Sequence, residues 1–178
     1  DLSPAPCISS ILSGFILSYT YQNELILKNR TSRDNWIARI ARIYPLQLLT
    51  MVIIIPLILK EELLNWGAFV LKILLNTTLL QSFIPNQTYY YSLNAPTWSI
   101  SDECFFYLLF PFLIQFFFKH TKLKWLIFIF AVFSIPVIMS YVNTAFHHHI
   151  FYINPSIRLA DFVIGIFLYN AYASIKNK

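Results

Sequence analysis

Six predominantly apolar segments divide this chain, and most approach the length that a helix needs to cross a lipid bilayer. A spanning helix requires about 20 mostly apolar residues. Five segments are interpreted as spans, namely 8–21, 43–59, 98–118, 125–142 and 156–173. Because lipid cannot satisfy free backbone N–H and C=O groups, helices are the expected secondary structure. The pattern predicts an all-α, polytopic transmembrane helical bundle.

The composition excludes several other classes of protein. Hydrophobic residues make up 57% of the chain and charged residues only 12%, about half the charged fraction of a soluble domain. These values exclude an ordinary soluble domain, a disordered segment and a nucleic-acid-binding domain, so no nucleic acid partner is expected. Aromatic residues reach 18%, which suits contact with lipid and interfacial belts. The expected partner is the bilayer.

The basic residues predict the orientation of the spans, since cytoplasmic loops carry an excess of Lys and Arg. The region between the first two spans holds five basic residues and one acid, Asp34; the basic residues are Lys28, Arg30, Arg33, Arg39 and Arg42. Further basic clusters lie at 119–124 and at 176–178. These three regions are predicted to be cytoplasmic. The regions around 61–62 and 147–149 are predicted to face outward.

This orientation places segment 68–84 between two outward-facing points, so it cannot make a single complete crossing. Its five polar residues favour protection inside the bundle over lipid exposure; they are Lys72, Asn76, Thr77, Thr78 and Gln81. We interpret the segment as re-entrant or interfacial, with a second crossing in 85–97 as the alternative. The prediction is about five spans plus one such helix, with loops at 85–96 and 143–155.

Ionisable residues within the bilayer are costly and require an explanation. In the segment 97–103, Ser99 is predicted to be the N-cap of a helix, with Asp102 three residues later in a capping-box-like arrangement. Trp98 would be an interfacial anchor. Glu103 fits this account less well, because it adjoins aromatic residues at the start of an apolar helix. A carboxylate in such surroundings is a candidate general acid or base.

Two pairs of charged residues have a spacing of three. Arg39 and Arg42 share one helical face and either snorkel to lipid headgroups or clamp phosphates, which guanidinium groups bind bidentately. Arg158 and Asp161 are predicted to form an intrahelical ion pair. Gly165, further along the same helix, would allow another helix to approach closely.

The histidine and cysteine residues indicate neither a metal site nor a disulfide. Adjacent histidines at 147–149 cannot share one helical face, and no second Cys/His cluster supports them, so they are interpreted as a polar outer loop. Cys7 and Cys104 are far apart in the sequence and form no Cys-x-x-Cys motif. No metal site is predicted.

Four motifs occur in a fixed order and together resemble a known family. They are Leu12-Ser13-Gly14-Phe15, Arg39-x-x-Arg42-Ile-Tyr-Pro45, Trp98-Ser-Ile-Ser101-x-Glu103-x-Phe-Phe-Tyr107, and Arg158-x-x-x-Phe162-x-x-Gly165. In this order they resemble acyltransferase family 3, a family of multi-spanning membrane proteins. The family includes bacterial O-acetyltransferases that modify lipopolysaccharide and other surface polysaccharides.

The resemblance implies an enzyme that moves an acyl group from cytoplasmic acyl-CoA, with acetyl-CoA as the expected co-substrate, to a hydroxyl of a cell-surface glycan or lipid-linked saccharide. It implies a multi-pass location in the bacterial cytoplasmic membrane and no permanently bound cofactor. By the same resemblance, Arg39 and Arg42 handle the donor. Trp98, Ser101 and Glu103 lie at or near the catalytic centre, and Arg158 and Asp161 are further functional residues.

The chain also departs from the family pattern. The family's first helix, with an Arg near its start and a functional His near its end, is not found, so no His here inherits that role. Ser9-Ser10 replaces the usual Phe-Phe, and the last helices of a ten-span domain are not found. Residues 1–178 are therefore interpreted as a partial acyltransferase 3 membrane domain. The alternatives are a membrane transporter or flippase and a catalytically inactive fragment.

Overall fold

The computed structural model describes residues 5–27, 31–119 and 148–176, and single positions at 126, 130, 134 and 141. Its α-helices are α1 (Ala5–Ile26), α2 (Ser32–Glu62), α3 (Trp66–Thr78), α4 (Gln87–Tyr90), α5 (Thr97–Lys119) and α6 (Pro155–Lys176), with a π-helical turn at His149–Ile153. Every regular element in these residues is helical, as predicted.

Three described segments are long and apolar enough to cross a membrane: Ser32–Thr78, Thr97–Phe117 and Pro155–Lys176. They identify the chain as an integral membrane protein. The predicted span at 125–142 falls almost entirely outside the described residues, so the number of about five spans stays a prediction.

Contacts between helices fix their relative directions. Trp36 donates to the carbonyl of Leu108 at 3.2 Å, and the Arg39 guanidinium lies 5.6 Å from the ring centroid of Tyr107. Residue numbers therefore rise on α2 as they fall on α5, and the two helices are antiparallel.

Helices α1, α5 and α6 run in the same direction. Phe106 stacks on Phe162 with centroids 5.1 Å apart, and Phe117 meets Phe167 at 5.1 Å. Gln22 donates to Asn170 at 2.8 Å, whereas residues 7 and 10 near the start of α1 contact residue 158 near the start of α6. This arrangement, with α2 opposed to the other three, matches the relative directions that the predicted orientation requires; which ends are cytoplasmic stays a prediction.

The core lies where α1, α5 and α6 meet. It consists of fully buried apolar side chains from all three helices: Leu17, Phe106, Phe110, Ile114, Phe162 and Ile166. Helices α1 and α6 approach so closely that an added Cβ at Gly14 would lie 2.1 Å from the carbonyl oxygen of Phe162, and one at Gly165 would lie 2.0 Å from that of Ile11. The predicted close approach at Gly165 is confirmed.

Helix α2 begins at Ser32, well before the predicted span at 43–59, because a capping box formed by Thr31 and Asp34 fixes its N-terminus. The Thr31 hydroxyl accepts from the Asp34 N–H at 3.2 Å, and the Asp34 carboxylate accepts from the Thr31 N–H at 3.2 Å. Arg39 and Arg42 are consequently helical residues and not part of a loop. Pro45 lies inside α2, and not in its first turn as the span boundary implied.

The segment between α2 and α5 folds back so that the end of α3 contacts α2. With 13 residues, α3 is about 20 Å long, shorter than a complete crossing requires. Its end is held by the Tyr44 hydroxyl, which donates to the carbonyl of Thr77 at 3.0 Å, and by Asn76, which donates to Ser92 at 2.8 Å. These contacts favour the re-entrant interpretation. The predicted loop at 85–96 contains the short helix α4.

The predicted N-cap at Ser99 is wrong. Helix α5 already begins at Thr97, and the Ser99 hydroxyl donates to the carbonyl of Pro96 at 2.8 Å. The Thr97 hydroxyl donates to Asn94 at 2.7 Å. The tight turn before the helix supplies these carbonyl acceptors, and the helix starts three residues earlier than an N-cap at Ser99 would place it.

Candidate functional site

Arg39 lies against two aromatic rings inside the helix bundle. Its side chain is 8% exposed, and its guanidinium carbon is 4.6 Å from the ring centroid of Tyr21 and 5.6 Å from that of Tyr107. A guanidinium group over aromatic faces is stabilised by the ring quadrupole. The Arg39 Nε has no hydrogen-bond partner among the described residues. The guanidinium group therefore retains a buried hydrogen-bond donor that no described residue satisfies.

Glu103, on α5, lines the same cavity as Arg39. The Tyr107 hydroxyl donates to the Glu103 carboxylate at 3.2 Å, a contact between residues one helical turn apart. Glu103 is partly buried, and Arg42 lies close enough to interact with it electrostatically. The antiparallel register of α2 and α5 thus pairs Arg39 with Tyr107 and Arg42 with Glu103.

These side chains line one cavity, which we call the Arg–Glu cavity. Its volume is about 230 Å³, and it lies between α1, α2 and α5. Its walls contain two guanidinium groups, a carboxylate, a phenol and two serine residues: Arg39, Arg42, Glu103, Tyr107, Ser9 and Ser13. Such a combination provides anion-binding groups beside a candidate proton acceptor.

Two other predicted catalytic residues lie outside this cavity. The Ser101 hydroxyl donates to the carbonyl of Leu79 at 2.5 Å and contacts the Ser82 hydroxyl at 2.7 Å, so it holds the end of α3 against α5. Trp98 is 8% exposed and packs on Tyr152, with centroids 5.3 Å apart. Both residues secure the helix that carries Glu103, and a catalytic role for them stays a prediction.

Arg158 forms a separate buried cluster. It is 2% exposed and pairs with Asp161 at 3.1 Å, which confirms the predicted ion pair. It also donates to the Ser10 hydroxyl at 3.0 Å and to Cys7 Sγ at 2.8 Å. Asp102 lies within its electrostatic range. The cluster joins the starts of α1, α5 and α6, and so supports the helices around the Arg–Glu cavity.

His149 is buried, in contrast to the polar outer loop predicted for this region. Its Nε2 lies 3.0 Å from the carbonyl oxygen of Ser82, so the neutral ring donates there. The ring also packs on Tyr90, with centroids 5.6 Å apart. The hydrophobic cluster of Tyr90, Trp98 and Ile153 provides the apolar surface beside which the histidine is buried. His147 lies outside the described residues.

We expect the stability of the fold to decline at acidic pH because of His149. Burial lowers the pKa of His149 below its usual 6.5, so protonation favours the unfolded chain. The stability is complete above about pH 6.5 and falls as the pH drops through 6.5 toward the lower folded-state pKa. Thermal unfolding of His149→Gln should show a weaker loss between pH 7 and 5. An unchanged slope in His149→Gln would contradict the assignment.

Several site residues were not predicted as such from the sequence. Tyr107 follows Glu103 by four residues, a spacing that places both side chains on one helical face and could have identified the pair. Tyr21 comes from a different helix, and no local spacing indicates its contact with Arg39. Lys72 pairs with Glu62 at 2.6 Å and not with any residue of the cavity. Within the described ranges, no three His, Cys, Asp or Glu side chains converge as metal ligands.

Comparisons with known proteins bear on this geometry. The acyltransferase domain family, acyltransferase family 3, matches residues 10–178. Acyltransferase MdmB of Streptomyces mycarofaciens is 34% identical over 111 residues, which cover 61% of this chain and 27% of that protein. No solved structure matches the chain. Since the family match covers nearly the whole chain and includes all four motifs, the chain belongs to acyltransferase family 3.

Proposed function

We propose that this chain forms part of a membrane O-acyltransferase that moves an acyl group from acyl-CoA to a hydroxyl of a cell-surface glycan or lipid-linked saccharide. The observation that carries the proposal is the convergence of Arg39, Arg42 and Glu103 on one cavity. Family membership supports acyl transfer as the chemistry. The resemblance adds acetyl-CoA as the first donor to test and the bacterial cytoplasmic membrane as the location.

The two arginines are assigned to the donor. Guanidinium groups bind phosphate oxygens through paired hydrogen bonds, and coenzyme A carries several phosphates. Arg39 is held by its aromatic neighbours, so little side-chain freedom is lost when it binds an anion. A lysine cannot reproduce this planar geometry, and Arg42→Lys should therefore impair donor binding.

Glu103 is assigned to the proton of the acceptor. The acceptor hydroxyl gives its proton to the Glu103 carboxylate, or to a base that Glu103 orients, as its oxygen attacks the thioester carbonyl. The new ester bond forms, the carbon–sulfur bond breaks, and coenzyme A leaves as the thiolate. The Tyr107 hydroxyl fixes the carboxylate through the 3.2 Å hydrogen bond, which keeps the base in place before the substrate arrives.

A transfer assay tests the proposal against a transporter or flippase. The full-length protein in membrane vesicles is supplied with acetyl-CoA labelled in the acetyl group, and label on the extracted glycan or glycolipid is measured. Acyltransfer predicts labelled product and release of free coenzyme A in equal amounts. Movement of a saccharide across the vesicle membrane without coenzyme A release would support the transporter and contradict the proposal.

A further inference from the structure

A second cavity lies directly beside the Arg–Glu cavity and differs from it in chemistry. Its volume is about 290 Å³, and it lies between α2, the end of α3 and α5. Apolar side chains and a thiol form most of its wall, including Ile40, Leu79, Cys104 and Leu108. We call it the apolar slot.

Arg39 aside, the polar side chains in the wall of the apolar slot already form hydrogen bonds within the protein. The Trp36 N–H donates to the carbonyl of Leu108 at 3.2 Å, the Tyr44 hydroxyl to that of Thr77 at 3.0 Å, and the Thr78 hydroxyl to that of Leu74 at 2.8 Å. Away from Arg39, a polar ligand would lose its hydration without gaining hydrogen bonds, which is unfavourable. The slot therefore suits a hydrocarbon chain.

The two cavities share part of their walls. Arg39, Ile43 and Tyr107 line both, so a ligand held by the arginines has one end next to the apolar slot. The slot extends along α2 from Trp36 to Tyr44, about 12 Å of helix. At about 30 Å³ for each water-sized group, its volume of 290 Å³ exceeds what the two carbons of an acetyl group fill.

We infer that the apolar slot receives the acyl chain of the donor and admits chains longer than acetyl. The inference rests on the proposed function, because it requires the donor phosphates to lie at Arg39 and Arg42. The donor's chain is favoured over a bilayer lipid because Arg39, Ile43 and Tyr107 line both the slot and the Arg–Glu cavity. The chain fills the slot by apolar contact alone, and Cys104 and Leu79 limit its length.

The test compares hexanoyl-CoA with acetyl-CoA as donors for the full-length protein. The parent should use both, with kcat/KM values within tenfold of each other. Cys104→Phe places a larger side chain inside the slot and should lower the hexanoyl-to-acetyl ratio of kcat/KM at least tenfold. In a hydrophobic pocket, one extra or missing methylene group already changes selectivity about tenfold or more. Cys104→Ala, which removes the thiol without filling the slot, should keep the parent's ratio within threefold.

A matched control and a second readout separate the possible outcomes. Leu57 lies on α2 and is 76% exposed, so Leu57→Phe adds similar bulk elsewhere and should leave the ratio unchanged. Hexanoyl-CoA should also slow alkylation of Cys104 by N-ethylmaleimide in a Cys7→Ala background, and acetyl-CoA should do so less.

Acetyl transfer with rejection of hexanoyl-CoA, or an unchanged ratio in Cys104→Phe, would overturn the inference and leave the proposed function standing. Protection of Cys104 by a lysophospholipid but not by hexanoyl-CoA would assign the slot to a bilayer lipid instead. Failure of every acyl-CoA to support transfer would contradict the proposed function, and the inference with it.

Discussion

Replacing Glu103 with Gln should lower kcat for acyl transfer at least 100-fold and leave the fold intact. The substitution removes the charge and the basicity of the carboxylate but retains an oxygen that can accept from the Tyr107 hydroxyl. A positioned general base contributes about 100- to 10,000-fold to a rate. The measurement is the rate of labelled acyl transfer at saturating donor, with the thermal stability of the variant determined in parallel.

The control for this loss is an acid on the exposed end of α2. Glu61 lies outside both cavities, so Glu61→Gln should retain the parent's kcat. If Glu103→Gln keeps kcat within threefold of the parent, Glu103 neither accepts nor orients the proton.

The second large effect concerns the contact between α1 and α6. An added methyl group at Gly165 would lie 2.0 Å from the backbone oxygen of Ile11 and 2.8 Å from the backbone nitrogen of Phe15. Backbone atoms cannot rotate away as a side chain can, so the helices must separate and the core around Phe162 must loosen. Overpacking of a core costs about 1–3 kcal/mol, occasionally more; we expect at least 3 kcal/mol from Gly165→Ala, measured as the free energy of unfolding in detergent.

Gly67 supplies the matched control, because nothing lies within 4 Å of a Cβ added there. Gly67→Ala should therefore be neutral or slightly stabilising, given the better helix propensity of alanine. Since α1 carries Ser13 and Leu17 into the Arg–Glu cavity, Gly165→Ala should also reduce acyl transfer. A Gly165→Ala protein as stable as the Gly67→Ala protein would show that the two helices are not in tight contact.

The sequence was sufficient for features that depend on local spacing or on overall polarity. The apolar segments predicted the helices, and the basic clusters predicted that α1, α5 and α6 share one direction. The interval of three residues between Arg158 and Asp161 predicted their ion pair. The motif that ends at Gly165 placed a small residue in the middle of α6, where α1 packs.

The arrangement of the site could not be predicted, because it depends on the register between helices. Arg39 and Arg42 were expected at the inner edge of the membrane and Glu103 near the outer end of another helix. Arg39 and Glu103 lie about two turns inside their own helices and Arg42 about three. The antiparallel packing of α2 on α5 brings them together. His149 is buried for a similar reason: its partners, Ser82 and Tyr90, come from a segment about 60 residues earlier.

Binding of coenzyme A to the purified full-length protein, measured by titration calorimetry, tests the central claim most directly. The account predicts that Arg39→Ala and Arg42→Ala each raise the Kd for coenzyme A at least tenfold, since charge-assisted hydrogen bonds to phosphate are lost. Glu103→Gln should leave the Kd within threefold of the parent, because the carboxylate serves the acceptor's proton. Arginine variants that bind coenzyme A as tightly as the parent would contradict the assignment of the Arg–Glu cavity to the donor.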